Sequence, residues 1–215
     1  MPLPPTSVGE KSVSRWPGKV VIGLTGNLGT GKSVVRRMLE EQGALGIDAD
    51  VLAHQAMARG TTGYAQVIEA FDESIVAESG EIDRKRLGQI AFSDPAALRR
   101  LEAILHPLVR QEVDGLIQGA FQRVVVVEAI KLLESPLAKD CDAVWVVDAP
   151  LEVQLRRLMD GRAMSEAEAR GRLGHQSPQD VKRNLADVVI DNGGLLEDTR
   201  RQVQAAWKRI PPSSS

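Results

Sequence analysis

Eight residues near the start, Gly26-Asn27-Leu28-Gly29-Thr30-Gly31-Lys32-Ser33, have the types and spacing best suited to chemistry. They fit G-x-x-x-x-G-K-[ST], a loop that wraps phosphate. Glycines let the backbone pass through positive φ and aim consecutive N–H groups inward. A helix beginning where the loop ends adds its partial positive charge. Residues Asn27, Leu28, Gly29, Thr30, Gly31, Lys32, Ser33 and Val34 are therefore candidates to bind a nucleoside triphosphate. The Lys32 ammonium would reach the β- and γ-phosphates, and the Ser33 hydroxyl would ligate Mg²⁺. A glycine-rich turn ahead of an ordinary helix is the plainer alternative. The flanking residues argue against it: a short apolar run, Val20 to Thr25, precedes the loop, and Val34 to Leu39 carries apolar pairs four apart behind it.

Further along stand candidate partners for that loop. Ala44 to Asp50 reads as a short second strand ending in Asp48 and Asp50. In an open α/β sheet, ligands bind beyond the carboxyl ends of the strands. In a continuing strand the two carboxylates would share one face, one orienting Mg²⁺ or its waters and the other facing an acceptor hydroxyl. The alternative is that Asp50 merely caps the following helix. Glu128 ends an apolar run, Val124 to Val127, and would hold a Mg²⁺ water or close a salt bridge. His106 precedes Pro107, as a structural bend or a substrate contact. Arg157, Arg162, Arg170 and Arg172 lie in a helix-turn-helix stretch suited to a lid over triphosphate, or to a solvated basic face. Ser165 and Glu168 have capping-box spacing.

These residues need a frame. Five apolar runs, at 20–25, 44–50, 123–128, 143–148 and 188–190, alternate with helical patterns, which is the mark of a doubly wound α/β sheet of parallel strands. Residues 53–119 carry few strand signals and read as a helical insertion that could cover an acceptor. Ser93-Asp94-Pro95 starts its longest helix, and Gly43 is placed to end the helix behind the loop. The sheet domain spans 19–210, with a lid at about 157–178. Residues 1–18, with four prolines, read as a disordered extension, and 211–215 as a loose tail.

The 215 residues suit one core with an inserted subdomain, and at 43% hydrophobic but only 3% aromatic that core must be aliphatic. A net charge of −2 gives no reason to expect nucleic acid or an anionic membrane surface. The single cysteine, Cys141, excludes an intrachain disulfide framework and fits a reducing cytoplasm. No apolar run is long enough to span a bilayer, and the first residues lack a signal peptide's apolar stretch.

Taken together, the residues resemble the dephospho-coenzyme A kinase family from about Val20 to Trp207. The resemblance rests on Ile22-Gly23-Leu24-Thr25-Gly26 leading into the loop and on Asp48-Ala49-Asp50. It continues through Ile82-Asp83-Arg84, Leu105-His106-Pro107, Gln154…Arg157, Gln176, Ala186-Asp187 and Val189-Ile190-Asp191-Asn192. It implies a P-loop kinase fold with a helical acceptor-binding insertion and a helical lid. The implied reaction is transfer of the ATP γ-phosphoryl group to the ribose 3′-hydroxyl of dephospho-CoA, the last step of coenzyme A synthesis, with Mg²⁺ accompanying ATP in the cytoplasm. Neither nucleic acid nor membrane is implied as a partner, and no particular oligomeric state. Asp50 matches the proposed general base, with Lys32 and Arg157 as further catalytic groups. Arg162 and Asn192 fall to the ATP side, and Asp48, Arg84, His106 and Gln176 to the acceptor.

Two departures stand out. Where the family carries Pro-Leu-Leu-x-Glu, this chain has Ile130-Lys131-Leu132-Leu133-Glu134. Where the family has a second lid arginine stands Gly161, and Arg162 would substitute through a shifted loop. Another small-molecule P-loop kinase, acting on a nucleoside or nucleotide, is the nearest competing reading. A GTPase-like switch is the other: Asp191-Asn192-Gly193-Gly194 matches D-x-x-G, but it follows the last strand and no N-K-x-D motif is present.

Overall fold

The computed structural model describes residues 15–162 and 164–211, without the side chains of Phe92 and Arg162. Most of the stretches read as extension and tail, 1–14 and 212–215, thus lie outside the described residues. Strand β1 (Val20–Thr25) leads through the glycine loop into α1 (Lys32–Glu41). Gly43, at φ 101°, closes α1: its N–H reaches the Glu40 carbonyl at 2.9 Å, and the Ala44 N–H reaches that of Leu39 at 3.1 Å. That paired bonding is a Schellman ending, which favours glycine at the left-handed position.

Strand β2 (Leu45–Asp48) is followed at once by α2 (Ala49–Ala56), then α3 (Thr62–Phe71), α4 (Arg84–Ser93) and α5 (Pro95–Gly119). Strand β3 (Val124–Glu128), α6 (Leu137–Asp140), β4 (Ala143–Asp148), α7 (Leu151–Arg162), α8 (Glu166–Gly174), α9 (Gln179–Asn184), β5 (Val188–Asp191) and α10 (Leu196–Trp207) complete the chain. All five strands are parallel, in the order β2-β3-β1-β4-β5. The register sets Leu24 and Asp48 each opposite Glu128, so the carboxyl ends of β1, β2 and β3 open at one level.

Helices cover both faces, which is why β3 is four valines in a row rather than an alternating strand. Ile22, Leu24, Val126 and Val147 face α1 and α10, whereas Val21, Val125 and Val127 face α5. The helices of the insertion enclose a separate core around Val67, Phe71, Ile75 and Leu87. Helix α5 belongs to both: Ala97 and Leu105 enter the insertion core, and Val109, Val113 and Ile117 pack on the sheet. Asp94 caps it, accepting from the Ala96 N–H at 2.8 Å, with Pro95 in the first turn. The helix runs on through Pro107, where the sequence suggested a bend. Proline there denies the Ala103 carbonyl its partner, but apolar residues anchored in two cores on either side hold the helix together.

Residues Arg15 to Gly18, read from sequence as extension, belong to the fold. Trp16 is buried against the α5 face of the sheet, and its indole N–H donates to Asp114 at 3.2 Å. Arg15 pairs with the same carboxylate at 2.5 Å. Two polar contacts from one acid, added to the burial of a large ring, outweigh the loop-like composition. Trp16→Ala should destabilise the protein by about 3–5 kcal/mol, the range for truncating a buried aromatic. Urea unfolding followed by far-UV circular dichroism checks this; a loss well under 1 kcal/mol would place Trp16 outside the core.

Candidate functional site

The glycine loop has an outer face of carbonyls and an inner face of amides, and each is held differently. On the outside, the Arg157 guanidinium donates to the carbonyls of Gly29 (3.3 Å), Thr30 (3.2 Å) and Asn192 (2.8 Å). Asn192, itself buried, donates to the Thr30 carbonyl at 2.7 Å and accepts from the Thr199 hydroxyl at 2.9 Å. Thr30 ties back to the Asn27 carbonyl at 2.8 Å. Gly31 sits at φ 90°, and a Cβ there would stand 2.1 Å from Asn192 Nδ2, so conformation and crowding both demand glycine. With its carbonyls engaged outward, the loop turns its N–H groups inward.

On the inside, the Leu28 N–H donates to Gln176 Oε1 at 2.9 Å, and the Asn27 N–H to Gln179 Oε1 at 3.1 Å. Gln176 therefore stands at the glycine loop and does not line the apolar cavity beside Asp50, whereas the resemblance put it on the acceptor side. Gln179 is also held by the Val147 carbonyl (2.8 Å). Its position gave no signal in sequence, because a glutamine opening a short helix after Pro178 has no distinctive spacing. Lys32 is buried under the loop with Nζ 3.4 Å from the Asn27 carbonyl. The turn at Asp191 to Gly193, which matched D-x-x-G, is a local one: Asp191 Oδ1 accepts from the Gly193 N–H at 2.8 Å.

The two aspartates do not share a strand face. The strand ends at Asp48, which caps α2 by accepting from the Val51 N–H at 3.0 Å. The cap is thus Asp48, where the sequence offered Asp50. Asp50, in the first turn of α2, accepts from the Ile130 N–H at 3.1 Å through Oδ2. Burial pushes its carboxyl above the usual range, opposed by that hydrogen bond and by the nearby Lys32 charge. The proline that the resemblance would set at position 130 has no N–H; the isoleucine supplies the one that holds Asp50. The Ile130 carbonyl accepts from Thr25 Oγ1 (3.1 Å) and from the buried Lys182 Nζ (2.8 Å). Burial lowers the Lys182 pKa, countered by Glu134 and Asp50. Nothing in the spacing pointed to Lys182.

Glu128 joins the loop to its helix. It accepts from Ser33 Oγ at 3.0 Å and from Arg36 Nε at 2.8 Å, so the salt-bridge alternative is realised. Beside Asp50 opens a largely apolar cavity of about 440 Å³, between α2, α4, α5 and the turn after β3. Asp50, Glu102, His106, Arg110 and Lys131 are its charged or titratable lining. Arg84 is exposed on α4 and does not line it. A second cavity, about 720 Å³, flanks the loop at Asn27, Pro150 and Gln179. Helices α7 and α8 pack on the loop through Leu155, Leu158 and Ala169 around Leu28. Arg170 and Arg172 are engaged with Glu166 and Glu168 on the exposed face of α8, as a solvated helix face would be. The Arg162 side chain lies outside the described atoms. At Gly161 a Cβ would meet nothing within 4 Å, so space does not require glycine there.

With this geometry in place, the comparisons are specific. The dephospho-CoA kinase family profile matches residues 20–198. The chain belongs to the dephospho-CoA kinase family. A dephospho-CoA kinase from Streptomyces avermitilis is 44% identical over 187 residues, which are 86% of this chain and 91% of that one. One from Geobacter sulfurreducens is 42% identical over 195 residues, 89% and 99% of the two chains. Among solved structures, a Thermus thermophilus protein superposes with TM-score 0.80 at 33% identity, covering 90% of this chain and 99% of its own. Dephospho-CoA kinase from Campylobacter jejuni gives 0.54 at 26%, covering 89% and 97%. A shikimate kinase from Acinetobacter baumannii, at 18% identity and TM-score 0.50 over 88% and 92%, shares the fold alone. The family and the five-stranded parallel sheet agree with the P-loop kinase expectation.

Asn192→Ala removes the donor to Thr30 and the acceptor for Thr199 inside a buried cluster. It should cost about 1–3 kcal/mol of stability, the penalty for stranding buried polar groups. Urea unfolding measures it, and an unchanged midpoint would show that the loop does not depend on this clasp.

Proposed function

We propose that the protein transfers the γ-phosphoryl group of ATP to the ribose 3′-hydroxyl of dephospho-CoA, giving coenzyme A and ADP. The observation that carries this reading is the place of Asp50: a half-buried carboxylate under the influence of Lys32 and lining an apolar cavity large enough for part of an organic acceptor. Family membership supplies the acceptor.

The triphosphate would enter at the loop amides, its oxygens replacing Gln176 Oε1 and Gln179 Oε1 on Leu28 and Asn27. Lys32 then neutralises charge that spreads over the migrating group, the main source of rate in phosphoryl transfer, while Arg157, which the resemblance made a catalytic group, braces the loop from its carbonyl side. Asp50 accepts the proton of the ribose hydroxyl as the hydroxyl oxygen bonds to phosphorus and the bridging oxygen leaves with ADP. Ser33 and Glu128 offer hard oxygen donors where Mg²⁺ would sit, with Asp48 at the same level of the sheet. Bound there with ATP, the ion would offset the charge of the phosphates. Arg36 already balances one Glu128 oxygen, so that carboxylate would bring only part of its charge to the ion. Closure of α7 and α8 over the loop would keep water from the γ-phosphate. Among the described residues no helix is long and apolar enough to cross a membrane. We place the activity in the cytoplasm, where ATP is available.

Release of ADP with dephospho-CoA, set against free nucleosides and nucleotides as acceptors, tests the assignment. Turnover should be fastest with dephospho-CoA by at least tenfold, and a nucleoside or nucleotide outrunning it would replace the acceptor named here. Asp50→Asn should keep ATP binding while kcat falls by about 10²–10⁴, the usual contribution of a general base. The base works deprotonated, and burial raises its pKa. Activity should therefore drop as pH falls through a value above that of an exposed aspartate, and this acid limb should vanish in Asp50→Asn. Wild-type turnover in that variant would remove Asp50 from the role.

A further inference from the structure

Two cations line the acceptor cavity, and they are held differently. Arg110 pairs with Asp140 at 2.5 Å, and Asp140 also faces Arg15 at 3.9 Å. The Asp140 side chain is only 16% exposed, so this contact is part of a network that ties α5 to α6. Lys131 pairs with Glu102 at 2.9 Å, with side chains 40% and 29% exposed. A half-exposed lysine–carboxylate pair contributes little and is readily exchanged. The Lys131 backbone, in contrast, is well placed. Ile130 before it holds Asp50, and Leu132 after it is fully buried. The Lys131 backbone is thus fixed one residue from the contact that orients the base, and its ammonium reaches Glu102 on α5.

We propose that Lys131 is a specificity-determining residue that exchanges Glu102 for the diphosphate of the acceptor, an inference that rests on the dephospho-CoA reading. Asp50 sets where the ribose hydroxyl must lie, and the rest of the acceptor has to share the cavity that Lys131 borders. Most of that lining is apolar, and Glu102 there repels a diphosphate. An acceptor with two negative charges needs more than one cation. Arg110, held by Asp140 at one terminal nitrogen with its buried Nε unpartnered among the described residues, meets part of that charge and leaves the rest to Lys131. Lysine suits the task as a flexible point charge with three donors. Glu102 then acts as the competitor that holds Lys131 until the acceptor arrives. This also gives a use to a residue that stands where the family carries an apolar one.

Steady-state kinetics on three variants of the full chain separate this from a structural salt bridge. Lys131→Met should raise KM for dephospho-CoA by about tenfold, as expected for one charged hydrogen bond, with kcat and KM for ATP within twofold. Lys131→Arg should restore most of the loss. Glu102→Gln should lower KM for dephospho-CoA, because the competitor is gone. If the pair only braces α5, both single variants instead shift KM in the same direction or lower the melting temperature alike, and the proposal is overturned. An unchanged KM for dephospho-CoA in Lys131→Met, or a rise in KM for ATP instead, also overturns it. A wild-type enzyme inactive on dephospho-CoA would sink the acceptor assignment itself, a result distinct from any pattern among the variants.

Discussion

The backbone of Ile130, with its N–H and its carbonyl both engaged, is the joint on which the site depends. Its N–H holds Asp50, and its carbonyl takes bonds from Thr25, at the end of the strand that feeds the loop, and from buried Lys182. The N–H and the carbonyl lie in successive peptide planes that share the Ile130 Cα, so the backbone conformation of this one residue sets where the acid lies relative to the glycine loop. Because little water reaches this point, each of these bonds is stronger than its surface equivalent, and an unpaired partner would be costly. A backbone donor is also a better positioning device than a side chain, since it has no rotamers to lose. An isoleucine at this position, where the resemblance would set proline, makes that donor possible.

The glycine loop shows a similar division of labour. Its carbonyls are fixed by Arg157 and Asn192, residues more than a hundred positions later in the chain. Its amides are left to weaker, exchangeable partners, the side-chain oxygens of Gln176 and Gln179. Neutral amide oxygens are poor competitors for phosphate, which forms charge-assisted bonds with the same donors. The cradle is thereby kept in shape without being closed to an anion.

Helix α5 couples the two halves. It is the longest element, and its buried residues pass from the insertion core to the sheet. Trp16 and Arg15 fasten its far end through Asp114, and Arg110 fastens its middle through Asp140. The acceptor cavity lies between this helix and the turn after β3, so its width is set by packing in two separate cores.

Much of this was legible in the chain itself. The glycine loop, the five apolar runs and the capping residues Asp94 and Ser165 announce local structure, because turn, strand and cap each impose requirements on neighbouring residues. The glycine turn at residues 26–33 and the place of α5's start follow from such short-range rules. What only the tertiary structure decided were the contacts between distant residues. Asp48 rather than Asp50 became the cap because β2 stops where its pairing with β3 ends. Trp16 joined the core because α5 offers it an apolar face and a carboxylate. Gln179, Lys182 and the Lys131–Glu102 pair have no spacing that marks them, since each meets a partner dozens to more than a hundred residues away or a backbone group the sequence does not display. Local pattern determines which elements form; which side chains then face one another is set by how the sheet and the long helix bring those elements together.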